Sequence, residues 1–226
     1  MQTISRPLQI VVWGALGLTV VAIGVGYVLK ERWADNEAVG PDGVTVSYPE
    51  RKGTLPVLFE VPDFALTNQT GQIVTRESLL GQVWLADIIF SRCAGPCPGM
   101  TRRMAEMQTA VSANSPVRFV TLTADPDFDT PTVLDAYARR YLATPGRWHF
   151  LTGTKKQIVD LAVGGLKFTA TPKDELQRTD PNDLFIHATI FVAVDKRGRV
   201  RAVIESDDPA MKVKSLGIIQ ELLNEP

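Results

Sequence analysis

The stretch "VWLADIIFSRCAGPCPGM", residues 83–100, joins an apolar run to a cysteine motif and then to a helix start. Val83 to Phe90 is nearly all apolar, as expected of a strand covered on both faces. Cys93 and Cys97 are the only cysteines of the chain, with three residues between them and Pro98 directly after. Pro98 suits the first turn of a helix, where a missing N–H costs nothing, and that helix is expected to run to about Ser112. Gly95 and Pro96 stop a regular helix from reaching back through the motif. Strand, cysteine loop and helix in this order decide the fold, because in open α/β sheets chemistry gathers at the carboxyl ends of strands.

Working outward, "DFALTNQTGQIVT" upstream predicts a β-hairpin turning at Asn68–Gly71. Downstream, "VRFVTLT" (Val117–Thr123) is a second buried strand, and Thr130-Pro131 opens a helix through "TVLDAYARRYL". "WHFLT" (Trp148–Thr152) is a third strand and "KKQIVDLAV" a third helix. After a polar loop, "HATIFVAV" and "VRAVIE" pair around Asp195–Gly198, and "DPAMKVKSLGIIQELL" closes as a helix. A hairpin, then β-α-β-α-β-α, then β-β-α implies an α/β fold: a thioredoxin-like central sheet with flanking helices.

The first 30 residues read differently. "LQIVVWGALGLTVVAIGVGYVL" carries no charge between Arg6 and Lys30, the length of apolar helix needed to cross a bilayer. It exceeds the apolar core of a cleaved signal peptide, so residues 1–30 are expected to be a single transmembrane anchor. Residues 31–57 are polar, with several Gly and Pro, and read as a linker. Residues 58–226 form the domain. The net charge of −1 and the lack of a basic face argue against a nucleic-acid partner.

Two thiols on one tight loop leave three chemistries: a structural disulfide, a redox couple or a metal clamp. A disulfide here would close a very short loop and stabilise little. Cys97 at a helix amino terminus, with Arg92, Arg102 and Arg103 nearby, is expected to have a lowered pKa, which favours both remaining options. A thiolate pair suits Cu(I), and an added imidazole suits either copper state. Structural zinc calls for four ligands, whereas this chain has two cysteines and two histidines. His149 lies mid-strand between aromatics and reads as structural. His187 opens "HATIFVAV" after the polar loop, where it is a candidate third ligand.

Asp87, inside the apolar strand and six residues before Cys93, is costly to bury without a partner. It either bonds locally or supports the thiols and a bound metal. Met100, Met104 and Met107 share a helix face, which fits a core stripe better than a thioether copper track. "DPDFDT" (Asp125–Thr130) resembles the start of a calcium loop, but Thr130 and Ala136 stand where glycine and glutamate are required. Turn formation and helix capping are the expected uses.

The motifs "GQVWLADIIFSRCAGPCPGM", "FVTLTADPDFDTPTVLDAYARRYL", "RWHFLTG" and "LFIHATIFVAVDKRGRV" together resemble the Sco/SenC family. These are membrane-anchored, thioredoxin-like copper proteins that assist assembly of the binuclear copper centre of cytochrome c oxidase. The resemblance implies that Cys93 and Cys97 are thiolate ligands and His187 the imidazole ligand for copper, Cu(I) or Cu(II). Family members often have an aspartate directly before this histidine; here Ile186 stands there, and Asp183 reads as a solvated loop residue.

The resemblance implies a metallochaperone whose partner is the copper-receiving subunit of cytochrome c oxidase, with other copper chaperones or thiol reductants as further partners. The alternative is a thiol-disulfide oxidoreductase in which Cys93 and Cys97 are the redox-active pair. Asp87 supports that alternative; the three-residue spacing and the lack of a proline just before residue 187 count against it. A peroxidase is weaker, since no acid–base pair beside Cys93 is evident. "MQTISRP" is short and poor in arginine for a mitochondrial presequence. With the family resemblance, this makes the expected location the bacterial inner membrane, single-pass, with the domain in the periplasm.

Overall fold

The structure is a computed structural model that describes residues 37–39, 45–47, 55–168, 170–172, 185–187 and 189–226. The anchor expected over residues 1–30 lies outside the described residues, as does Asp183; among the described residues no helix is long and apolar enough to cross a membrane. The chain divides into two units, Met1–Lys52 and Gly53–Pro226. In the first, β1 (Glu37–Val39) pairs antiparallel with β2 (Thr45–Ser47).

The second unit is built on an eight-stranded sheet. In chain order its described elements are β3 (Phe59–Glu60), β4 (Ala65–Asn68), β5 (Ile73–Thr75), α1 (Arg76–Leu79), β6 (Val83–Ile89) and α2 (Cys97–Ala110). Then come β7 (Val117–Thr123), α3 (Pro131–Arg140), β8 (Trp148–Thr152) and α4 (Lys155–Val159), which runs on as a π-helical turn, Asp160–Gly165. A separate ladder pairs β9 (Ala170–Pro172) with β10 (Phe185–His187). The chain closes with β11 (Ile190–Val194), β12 (Arg199–Glu205) and α5 (Met211–Asn224).

The sheet order is β3-β12-β11-β6-β7-β8-β4-β5. Only β6, β7 and β8 run parallel, with Ile89 beside Thr123 and Val120 beside His149. The flanking pairs are antiparallel. Parallel strands need crossover helices, and α2 and α3 supply them. This is the expected α/β arrangement, with one correction. The sheet strand begins at Ile190, and His187 instead ends β10 in the outer ladder. The polar loop read between the third helix and "HATIFVAV" thus contains backbone pairing of its own.

Side-chain alternation sorts the core into two layers. Val83, Leu85 and Ile89 of β6 pack with Met100, Met104 and Met107 of α2, Leu134 and Tyr137 of α3, and Ile219 and Leu222 of α5. Trp84, Ala86 and Ile88 face the other way, onto Leu79, Ile158 and Leu161. The three methionines are 0–2% exposed, so the stripe is core. Trp148 stacks on Phe150 at 4.9 Å between ring centroids, and its Nε1 donates to Thr121 Oγ1 at 2.9 Å. Fully buried side chains of this size stabilise by roughly 1.5–3 kcal/mol each.

One polar lock closes the domain. Arg201, 3% exposed, donates to Asp195 Oδ2 at 2.9 Å, to both carboxylate oxygens of Glu225, and to the Leu55 and Pro56 carbonyls. Burial alone would raise the Asp195 pKa, but hydrogen bonds from Arg199 and Arg201 outweigh it and hold the carboxyl below its ordinary value. Arg201→Met takes one of two arginines from Asp195, which keeps Arg199, and leaves the Leu55 and Pro56 carbonyls without their donor, so urea unfolding should show a loss of about 2–3 kcal/mol at pH 7. Because the folded pKa is depressed, Asp195's contribution is present above about pH 4 and fades as pH falls through its folded value. The gap between variant and wild type should therefore narrow in acid; an equal gap at both pH values would contradict this account.

Candidate metal and thiol site

The site forms where β6 ends. Phe90 is buried, the chain turns with Cys93 N–H donating to the Phe90 carbonyl at 3.1 Å, and Ala94 to Pro96 are exposed. Cys97 is the first residue of α2 and Pro98 sits in its first turn, as the motif predicts. Both cysteines are thiols; Cys93 is half-buried and Cys97 is 0% exposed. Their side chains are in hydrogen-bonding contact, and Gly95 N–H donates to Cys93 Sγ at 3.3 Å. One sulfur is thus reachable from solvent, and the other lies beneath it in the core.

The expected lowering of the Cys97 pKa is not what the packing produces. Burial pushes this thiol well above its ordinary value, contact with Cys93 adds to the rise, and the Asp87 carboxylate raises it further. The backbone at Phe90 works in the opposite sense but is outweighed. The arginines do not reverse this. Arg92 is held by Asp125 at 2.6 Å and lies 4.0 Å over the Phe128 ring, while Arg102 points to solvent. In the metal-free protein the buried thiol keeps its proton, and a bound metal must displace it.

Asp87 is 0% exposed and falls in phase with Leu85 and Ile89, on the α2 side of the sheet. Its charge adds, as the smallest contribution, to the rise in the Cys97 pKa. Around Cys97, Thr101 Oγ1 lies 2.9 Å from both the Cys97 carbonyl and the Tyr137 hydroxyl. Burial raises the Tyr137 pKa, so this hydroxyl stays protonated.

His149 is not part of this cluster. It is the second residue of β8, near the amino ends of the parallel strands, and alternates away from the layer that holds Trp148 and Phe150. Asn68 Nδ2 lies 3.4 Å from its Nδ1, and burial, with Arg118, holds the imidazole below its ordinary pKa. It is the structural histidine expected from the sequence. For His187 the described residues give backbone only: it pairs with Ala170 in β10. Three residues later Ile190 starts β11, which runs antiparallel to β6 with Val192 beside Ala86. The start of β11 therefore adjoins the carboxyl end of β6, where the cysteine loop leaves the sheet. The side chains of Ile186 and His187 lie outside the described residues. Among the described residues no group of three His, Cys, Asp or Glu side chains is arranged to hold a metal.

Sequence reasoning missed a strap between two loops. Asp129, 0% exposed, accepts hydrogen bonds from Ser91 N–H at 3.1 Å, from the Ser91 hydroxyl and from Thr123 Oγ1. "DPDFDT" reads as a turn and cap, and Thr130 does cap α3 through Val133 N–H at 3.4 Å. Burial raises the Asp129 pKa, while the hydrogen bonds from Ser91 and Thr123 oppose the rise. The available signal was positional: this acidic stretch follows the strand paired in parallel with the one that carries the cysteine loop.

A parallel β-α-β-α-β core, widened by antiparallel hairpins and carrying two thiols on the loop after a central strand, defines a thioredoxin-like α/β protein. A family model for SCO1/SenC matches residues 56–219. The SCO1 protein homolog of Bacillus subtilis (strain 168) is 35% identical over 147 residues, covering 64% of this chain and 73% of that protein. The solved structure of BsSco, described as a member of the Sco family of cytochrome c oxidase assembly proteins with a disulfide switch, is 30% identical. It superposes with a TM-score of 0.66 over 77% of this chain and 100% of that one. Bradyrhizobium japonicum ScoI with copper bound shares the fold at a TM-score of 0.61 and 20% identity, over 72% of this chain and 99% of that one. The chain belongs to the SCO1/SenC family.

Proposed function

We propose that this protein is a membrane-anchored copper metallochaperone that binds one copper ion through Cys93, Cys97 and His187. It would deliver the ion to the copper-receiving subunit of cytochrome c oxidase. The observation that carries the reading is the contact between the two thiols on the loop after β6. This donor set fits the cargo: two soft sulfurs satisfy Cu(I), and an imidazole added to them suits Cu(II). Membership of the family supports the role, as does the oxidase-assembly description of the 30% identical BsSco. Residues 1–30 would hold the chain in a bacterial inner membrane with the domain in the periplasm, where other copper chaperones or thiol reductants would meet it.

The second reading, a thiol-disulfide oxidoreductase, is favoured by the same sulfur contact and by the buried Asp87, whose charge acts on Cys97. In it, Cys93 and Cys97 together give two electrons and two protons to a partner's disulfide, which becomes two thiols, while they close their own disulfide. The two readings are compatible, since a disulfide excludes the metal and reduction restores the site.

One preparation tests both readings. The full chain, recovered in detergent from carbonate-washed membranes, reduced and kept anaerobic, should take up one copper ion per chain and reduce insulin disulfides slowly. Rapid insulin reduction, turned over by added dithiothreitol and with no retained copper, would overturn the chaperone reading in favour of the second. Loss of the chain in the carbonate wash would remove the anchor.

A further inference from the structure

The loops leaving β6 and β7 are bound together beside the thiols. Ile89 pairs with Thr123, and Ala124 N–H donates to the Ile89 carbonyl at 2.7 Å. Beyond this pair, Ser91 is pinned twice by Asp129, at its backbone N–H and at its hydroxyl. Asp125 N–H donates to Thr123 Oγ1 at 2.9 Å, and the Thr123 hydroxyl donates to Asp129 Oδ2. Arg92, the next residue of the cysteine loop, is held by Asp125 at 2.6 Å. An acid just before a helix ordinarily caps it. Here Thr130 caps α3, which leaves the Asp129 carboxylate turned toward the other loop.

Cys97 is fixed by a helix in the core, whereas Cys93 sits on a loop whose next three residues are exposed. The separation of the two sulfurs therefore depends on what holds the arm Phe90–Cys93. We propose that Asp129 is a positioning residue: by pinning Ser91, it sets Cys93 against Cys97 in the geometry that the pair needs to grip a metal or to close a disulfide. The proposal rests on Cys93 and Cys97 being the working pair, and it holds for either chemistry.

The test compares the full chain in detergent with Asp129→Ala, Asp129→Asn and Ser91→Ala. One readout needs no metal: the rate at which diamide closes the Cys93–Cys97 disulfide. In that step the two thiols lose two electrons and two protons, and diamide is reduced to its hydrazine. The other is the thiolate-to-Cu(II) charge-transfer band. Asp129→Ala should slow closure about tenfold and shift the band, since loosening the arm lowers the effective concentration of one thiol at the other. Asp129→Asn should retain part of the effect through its remaining acceptor. Ser91→Ala should change both readouts in the same direction and add little on top of Asp129→Ala.

Thermal unfolding shows whether each variant is folded; should Asp129→Ala fail to fold, Ser91→Ala carries the test. Lowered melting temperatures with wild-type closure rates and an unshifted band in Asp129→Asn and Ser91→Ala would overturn the proposal. A wild-type chain that takes up no copper, with variants that still close slowly, would sink the copper reading and leave the positioning role standing.

Discussion

Changing both Cys93 and Cys97 to serine is expected to abolish copper retention, with affinity falling on the order of 10⁴-fold or more. A structural zinc site with four ligands is worth roughly 10–16 kcal/mol, so each ligand contributes about 2.5–4 kcal/mol and two lost ligands about 5–8 kcal/mol. Serine offers a hard oxygen that keeps its proton at neutral pH and cannot replace a soft thiolate. Cys93 is half-exposed and should accept the change easily, whereas at Cys97 a hydroxyl enters a site that is 0% exposed. That burial should lower stability by about 1–3 kcal/mol, which thermal unfolding would register separately from copper loss. Copper analysis of wild type and double variant, reduced and desalted under anaerobic conditions, makes the measurement. A double variant that still retains one copper ion would contradict the assignment.

The second large effect separates the oxidation states. In His187→Ala the two sulfurs remain, and two thiolates alone can hold Cu(I), so Cu(I) affinity should stay within about threefold of wild type. Cu(II) loses its imidazole and should bind on the order of 100-fold more weakly, the equivalent of one ligand. Competition titrations with a chelator for each state would show the split. Equal weakening of both states, or an unchanged Cu(II) band, would remove His187 from the site. His149 cannot stand in for it, because it sits near the amino end of β8 against Asn68, away from the cysteine loop.

Much of this fold was legible because its signals are local. The apolar run before Phe90, Pro98 at the start of α2 and the 4 and 3 spacing of Met100, Met104 and Met107 each report on one element and its neighbouring layer. What went astray depends on contacts between segments distant in sequence. The Cys97 pKa was read from a helix terminus and nearby arginines, but burial beneath the loop and the nearness of Cys93 and Asp87 decide its direction. Asp129 reads as turn chemistry because no spacing rule links it to Ser91; only the parallel pairing of β6 with β7 brings the two together. Likewise, the start of "HATIFVAV" reads as part of the main sheet because apolar alternation does not show that β10 pairs with β9 instead. The cysteine pair itself was plain from the sequence, and the strap that steadies it was not.

In the proposed site a single copper ion is held by two sulfurs and one imidazole of this chain. X-ray absorption at the copper edge of the Cu(II)-loaded full chain tests it most directly. Two sulfur scatterers with one set of imidazole outer-shell features are expected, with loss of the imidazole features alone in His187→Ala. A copper ion surrounded only by oxygen and nitrogen, or imidazole features that persist in that variant, would contradict it.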